Sequence, residues 1–166
     1  MSNYSGEVLA EVIRAGVVES AHLGYLVALN SDGSIAFSKG DLKAAVYPRS
    51  CVKSVQASAM VRNGLKLEPR LLALVASSHS GSSEHQTGVL EILNSAGLTE
   101  NNLQNMLDKP LGELERREWG DKAPTRLAMN CSGKHAGMLA TCVINNWPIE
   151  DYLNPEHLLQ IEIKKE

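Results

Sequence analysis

Tyr47-Pro48-Arg49-Ser50-Cys51-Val52-Lys53 is the stretch on which the reading of this chain turns. The residues after Pro48 read as the start of a helix. Val52, Val55 and Ala59 recur at helical spacing, and Gly64 is placed to stop the helix, so the pattern predicts a helix from Ser50 to Asn63. Ser50 and Lys53 are three apart, and residues three apart on a helix share a face. A lysine held neutral by burial can take a serine proton and leave an alkoxide-like nucleophile. At a helix start, backbone N–H groups and the dipole also favour the oxyanion of acyl transfer. The plainer reading makes Ser50 a helix N-cap and Lys53 a solvated first-turn residue.

On the N-terminal side, Val8 to Ile13 reads as a strand, and residues 22–29 and 34–38 read as a hairpin around Asn30-Ser31-Asp32-Gly33. On the C-terminal side, Pro69 to Ser77 and Glu84 to Ala96 read as helices, the second with Val89, Ile92, Leu93 and Ala96 inward and Gly97 as its stop. Ser78-His79-Ser80-Gly81-Ser82-Ser83 is too polar for a core and is expected to be a loop. Thr99 is expected to cap a short helix, and residues 108–126 to be charged and irregular. Asn130-Cys131-Ser132-Gly133-Lys134-His135-Ala136-Gly137 opens a helix that runs to about Asn146, before Pro148. Asn154-Pro155-Glu156 reads as another helix start. Strands followed by a helical block give an α+β class, and with nothing clearly β after residue 127 the sheet is expected to be incomplete, with unpaired edges.

Composition closes several alternatives. The 166 residues are enough for one domain with a core, and 43% apolar with 21% charged residues is ordinary for a globular chain. A formal charge of −3 without a basic run leaves nucleic-acid binding no electrostatic footprint. The longest apolar run, Leu71 to Ala76, is too short to span a bilayer. Glu7, Glu11 and Glu19 in the first twenty residues, with no apolar segment there, speak against a secretory signal. Three cysteines then read as reduced thiols, and a cytoplasmic location is expected.

Two further constellations carry chemistry. In His79-Ser80-Gly81, a second serine on a loop could hold a substrate carboxylate or amide, or assist proton transfer; the alternative is a flexible polar loop. In Cys131-x-x-Lys134-His135, all three positions share a helix face, where a thiolate beside a cation could be a nucleophile or a zinc ligand. Zinc usually takes three or four protein ligands, and Cys131 with His135 supplies two; the alternative is a tight helix start with a buried cysteine. Cys51 and Cys142 read as small core residues, and Glu115-Arg116-Arg117-Glu118 as a solvated charged face.

The three segments, in this order, resemble the bacterial asparaginase II family, which includes the inducible, thermolabile rhizobial asparaginase. The likeness rests on Tyr47 to Ala57, Ala76 to Gly81 and Asn130 to Met138, and extends from the N-terminal strands to about residue 160. Ser54 and Ser82 stand where that family usually carries Pro and an acidic residue. The resemblance implies a fold like that of serine β-lactamases and glutaminases, whose relatives use Ser-x-x-Lys, and cytoplasmic hydrolysis of L-asparagine to L-aspartate and ammonia. It implies Ser50 as nucleophile, Lys53 as its base, and Ser80 in a second Ser–Lys pair. It further implies Arg49 and His79 in substrate binding, Cys131 and Lys134 holding zinc near the substrate, and a homodimer. Family chains run well past this length. Residues 1–166 are therefore expected to be the N-terminal part of a single domain, with a second zinc cysteine and the lysine partner of Ser80 lying beyond. An inactive remnant of such an enzyme, a glutaminase and a penicillin-recognising amidase on the same fold stand as alternatives.

Overall fold

The computed structural model describes residues 6–166, which divide into two compact units, one ending at Tyr47 and one running from Pro48 to Glu166. The first holds two antiparallel hairpins. Strand β1 (Glu7–Arg14) pairs with β2 (Val17–Gly24), and β3 (Leu26–Leu29) with β4 (Ile35–Lys39). The first hairpin turns through Ala15 (φ 50°) and Gly16 (φ 80°), two consecutive positive-φ residues of the kind that match strand twist in a two-residue loop. The second closes on Asn30, whose N–H donates to the Ser34 carbonyl, while the Asp32 carboxylate accepts from the Ser34 N–H. The expected single strand at Val8 to Ile13 is thus half of a hairpin. The strand expected over 22–29 is divided at Tyr25, with His22 belonging to β2. Lys39 Nζ donates to the Val8 carbonyl and the Gly40 N–H to Glu7, tying the hairpins at one end. Each sheet has two strands, so each leaves two edges without a strand partner among the described residues.

The second unit is helical. A 3₁₀ turn, Arg49–Val52, leads into α1 (Lys53–Arg62), followed by α2 (Pro69–Ala76), α3 (Ser83–Ser95), α4 (Glu113–Trp119), α5 (Ser132–Ile144) and α6 (Leu158–Lys165). Helix α5 is its axis: every residue from Ser132 to Cys142 is buried except Lys134. A helix apolar all round must be covered on all sides, and α1, α2, α3 and α6 pack around it. The core joins Met60, Leu74, Val75, Val89, Ile92, Leu93, Met138, Leu139 and Tyr152. Gly133 lets α5 approach α2, because a Cβ there would lie 2.7 Å from the Leu74 carbonyl oxygen.

Several expectations are corrected. Helix α1 begins at Lys53 rather than Ser50, and its buried face is Lys53, Ala57, Ala59 and Met60, while Val55 faces solvent. Cys51 is exposed; Cys142 alone of the pair is a core residue, and burial pushes its thiol up to about 12. Residues 108–126 contain α4 and are closed at the base by a bridge between Asp108 and Thr125. Asn154-Pro155-Glu156 is a turn, with the Asn154 side chain accepting from the Glu156 N–H; α6 starts later, with the His157 ring accepting from the Leu159 N–H. No helix among the described residues is long and apolar enough to cross a membrane.

Candidate functional site

Lys53 enters the core on the inward face of α1, with only 3% of its surface exposed. A buried ammonium or amine needs partners. Its Nζ donates to the Ser77 carbonyl at 2.8 Å and to Ser78 Oγ at 2.7 Å. Ser78 Oγ in turn lies 2.9 Å from Ser50 Oγ. The serine and lysine singled out by spacing are thus joined through a third residue, Ser78, at the end of α2. Ser50 is not a helix cap: the 3₁₀ turn that holds it has no side-chain cap, and its hydroxyl is engaged by Ser78. Just before it, Arg49 sits at φ 49°, a conformation that costs a non-glycine residue on the order of 1–3 kcal/mol. The Arg49 side chain is exposed and forms no hydrogen bond or ion pair among the described residues.

His79 is buried, with 4% of its surface exposed. Its Nε2 lies 2.9 Å from Ser132 Oγ, whose own proton goes to the Leu127 carbonyl at 2.8 Å. The Ser132 oxygen must therefore accept, so His79 carries its proton on Nε2 and presents a lone pair on Nδ1. That Nδ1 is buried and has no partner. Burial, with His85 and Lys53 acting the same way, lowers the His79 pKa to about 4, so the ring is neutral at pH 7. Its backbone N–H donates to the Asn130 carbonyl, locking the loop to the start of α5.

Ser80 points elsewhere. Its hydroxyl donates to a Glu115 carboxylate oxygen and lies 3.3 Å from His85 Nδ1. The Gly81 that follows adopts φ 88°, and a Cβ there would stand 2.7 Å from the Ala128 carbonyl oxygen. The loop is clamped rather than flexible.

Lys134 stands at the opening of α5 beside Cys131. Burial holds its amine below the ordinary lysine range; Cys131 opposes this and Lys53 adds to it. Cys131 is half-buried, with its backbone N–H on the Met129 sulfur. His135 does not join them: its Nδ1 lies 2.9 Å from the Tyr152 hydroxyl, and its pKa is lowered to about 3 by burial first and by Lys134 and Lys53 next. A cysteine and a lysine make two donors, whereas a closed zinc site takes four. No group of three or more His, Cys, Asp or Glu side chains with metal-holding geometry occurs among the described residues. Cys131 and Lys134 alone therefore do not complete a zinc site.

Sequence reasoning missed two members of this region. Ser78 was hidden in a run of serines, with nothing local to prefer it. Glu115 was read as part of a solvated face, and only its neighbours Arg116, Arg117 and Glu118 are that. Neither contact is local in sequence.

The buried Lys53 and the exposed Ser50 therefore stand at the two ends of one hydrogen-bond series through Ser78. Residues 10–166 match the family model described as L-asparaginase II, and the chain belongs to that family. No curated protein shows a match to it.

Proposed function

We propose that this chain hydrolyses the side-chain amide of L-asparagine, with Ser50 as nucleophile and Lys53 as base acting through Ser78. The observation that carries the reading is the Ser50–Ser78–Lys53 hydrogen-bond series, at 2.9 and 2.7 Å. An unprotonated Lys53 has two N–H bonds and one lone pair. In the structure Nζ donates to both the Ser77 carbonyl and Ser78 Oγ; for the base role the amine keeps one N–H on Ser77 and turns its lone pair to Ser78. As Ser50 Oγ bonds to the amide carbon, its proton passes to Ser78 and the Ser78 proton to Lys53. The carbonyl π electrons move onto oxygen as the tetrahedral oxyanion. When the C–N bond breaks, the nitrogen takes a proton from Ser78, which takes one from the Lys53 ammonium, and leaves as ammonia. Water then attacks the aspartyl ester, and L-aspartate departs with Ser50 restored.

The remaining roles follow from charge. The Arg49 guanidinium next to Ser50, exposed and without a partner among the described residues, suits the substrate α-carboxylate, since Arg recognises carboxylates by a two-pronged hydrogen bond. His79, with one nitrogen on Ser132 and the other buried, serves the site by fixing the loop that carries Ser78. The serine β-lactamase-like plan implied by the resemblance is part of this reading.

Ammonia release from L-asparagine tests it, with L-glutamine as the comparison substrate. The chain is expected to turn over L-asparagine, and Ser50→Ala to abolish turnover while leaving the helical content unchanged. An active Ser50→Ala protein would remove the nucleophile assignment; a chain without turnover would favour the remnant reading.

A further inference from the structure

Helix α4 has no apolar periodicity and no buried residue, yet its start is pinned against the Ser80 loop. The Gly112 N–H donates to the Ser80 carbonyl at 2.8 Å. A Cβ on Gly112 would meet Ser80 Cβ at 2.7 Å and the Glu115 carboxylate still closer, so only glycine allows the approach. One turn on, Glu115 accepts the Ser80 hydroxyl. That hydroxyl has one proton, and it is spent on Glu115. His85 Nδ1, 3.3 Å from Ser80 Oγ and 2.9 Å from Ser82 Oγ, can then reach Ser80 only by donating to its oxygen. Ser80 is thus tied to α4 through Glu115, while His85 Nδ1 lies between Ser80 Oγ and the nearer Ser82 Oγ. The same short loop carries Ser78, which is bonded to Ser50 and Lys53.

We infer that Glu115 is a positioning residue: by accepting the Ser80 hydroxyl opposite His85, it holds the 78–80 loop so that Ser78 lies between Ser50 and Lys53. The functional part rests on the reading of Ser50 and Lys53 given above. Glu115 touches neither the nucleophile nor the base; it acts through the backbone from Ser80 to Ser78. The charged and titratable groups around His85 are His79, stacked on it at 5.2 Å, Glu115 from α4, and Arg70 of α2 and Glu84 of α3 lining the adjoining pocket. Glu115 alone among them accepts the Ser80 hydroxyl.

The test is a double-mutant cycle on the full chain, read by L-asparagine turnover and by the rate at which a fluorophosphonate labels Ser50. Glu115→Ala is expected to lower kcat and the labelling rate about ten-fold with KM little changed, the effect of losing one charge-assisted hydrogen bond. Glu115→Gln keeps an accepting oxygen and is expected to stay within about three-fold of the parent chain. In a Ser80→Ala background, Glu115→Ala is expected to add nothing, because the partner is already gone. Independently, hydrogen exchange at the Gly112 amide, whose N–H donates to the Ser80 carbonyl, is expected to quicken in Glu115→Ala as the loop loosens. Equal effects of Glu115→Ala in both backgrounds, or no effect in either, would overturn the inference. Labelling of Ser50 that follows the cycle without turnover of L-asparagine would sink the substrate assignment and leave the positioning role intact. If neither turnover nor labelling occurs, the Gly112 amide exchange decides: an unchanged rate in Glu115→Ala overturns the positioning role, and a faster one upholds it. Should Glu115→Ala fail to fold, Glu115→Asp, which draws the carboxylate back by one methylene, takes its place, with an intermediate loss expected.

Discussion

Ser78 has one proton and two neighbours that take it in turn, Lys53 when the nucleophile forms and Ser50 when it is regenerated. Removing that hydroxyl leaves Ser50 without an acceptor and Lys53 with one fewer partner in a buried setting. Ser78→Ala is expected to lower kcat for L-asparagine by about 10²–10⁴, the usual worth of a positioned proton-transfer group, with KM nearly unchanged. Measured kcat within a few-fold of the parent would mean that Ser50 reaches Lys53 without a bridge. The residue scale is also where the sequence was hardest to read. Spacing pairs Ser50 with Lys53, since three residues along a helix is a local fact. It says nothing about a residue 25 positions from Lys53. Choosing among Ser77, Ser78, Ser80, Ser82 and Ser83 requires tertiary contacts: Ser78 goes to Lys53, Ser80 to Glu115, and Ser82 caps α3.

The elements sort by what stops and starts them. Helix α3 was legible because Val89, Ile92 and Leu93 keep one face and Gly97 (φ 72°) ends it. Strand β2 was not, because its turn uses Ala15 at positive φ where Asn or Asp is the usual signal. Helix α6 was misplaced because Asn154 starts a turn and the cap is an imidazole, an unusual choice. Helix α4 was invisible because its sequence has no stripe; contacts at its start hold it. The α2–α5 crossing gives a test of element packing. Gly133→Ala would gain about 1 kcal/mol of helix propensity. It would also place a Cβ 2.7 Å from the Leu74 carbonyl oxygen, a backbone atom that moves only with α2. Overpacking of that kind costs about 1–3 kcal/mol, so the balance is a net loss of up to about 2 kcal/mol. Urea unfolding should show an earlier midpoint with unchanged slope, and a later midpoint would mean that the helices part without strain.

Across the whole second unit, two imidazoles are folded in as neutral groups, which sets how the chain meets acid. His79 is lowered to about 4 and His135 to about 3, each by burial first. In the unfolded chain both titrate near 6.5. Between these values the unfolded state binds more protons than the folded one, so folding stability rises with pH there and falls as pH drops. The contribution is complete above about pH 6.5 and is lost progressively as pH falls toward 4 and then 3. At about 1.4 kcal/mol for each pH unit of separation, each histidine withdraws on the order of 3 kcal/mol or more by the bottom of that window. Glu115, held below the ordinary carboxylate range first by the Ser80 hydroxyl, adds loss in the same direction as it protonates. The chain is therefore expected to lose most of its stability between pH 6.5 and pH 4, in urea midpoints taken at each pH. Carboxylates alone would begin that loss only near pH 4.5. NMR separates the two causes: the ring protons of His79 and His135 should show no titration in the folded chain down to pH 5. A midpoint near 6.5 for either ring would mean that it charges without unfolding and that its burial sets no acid limit.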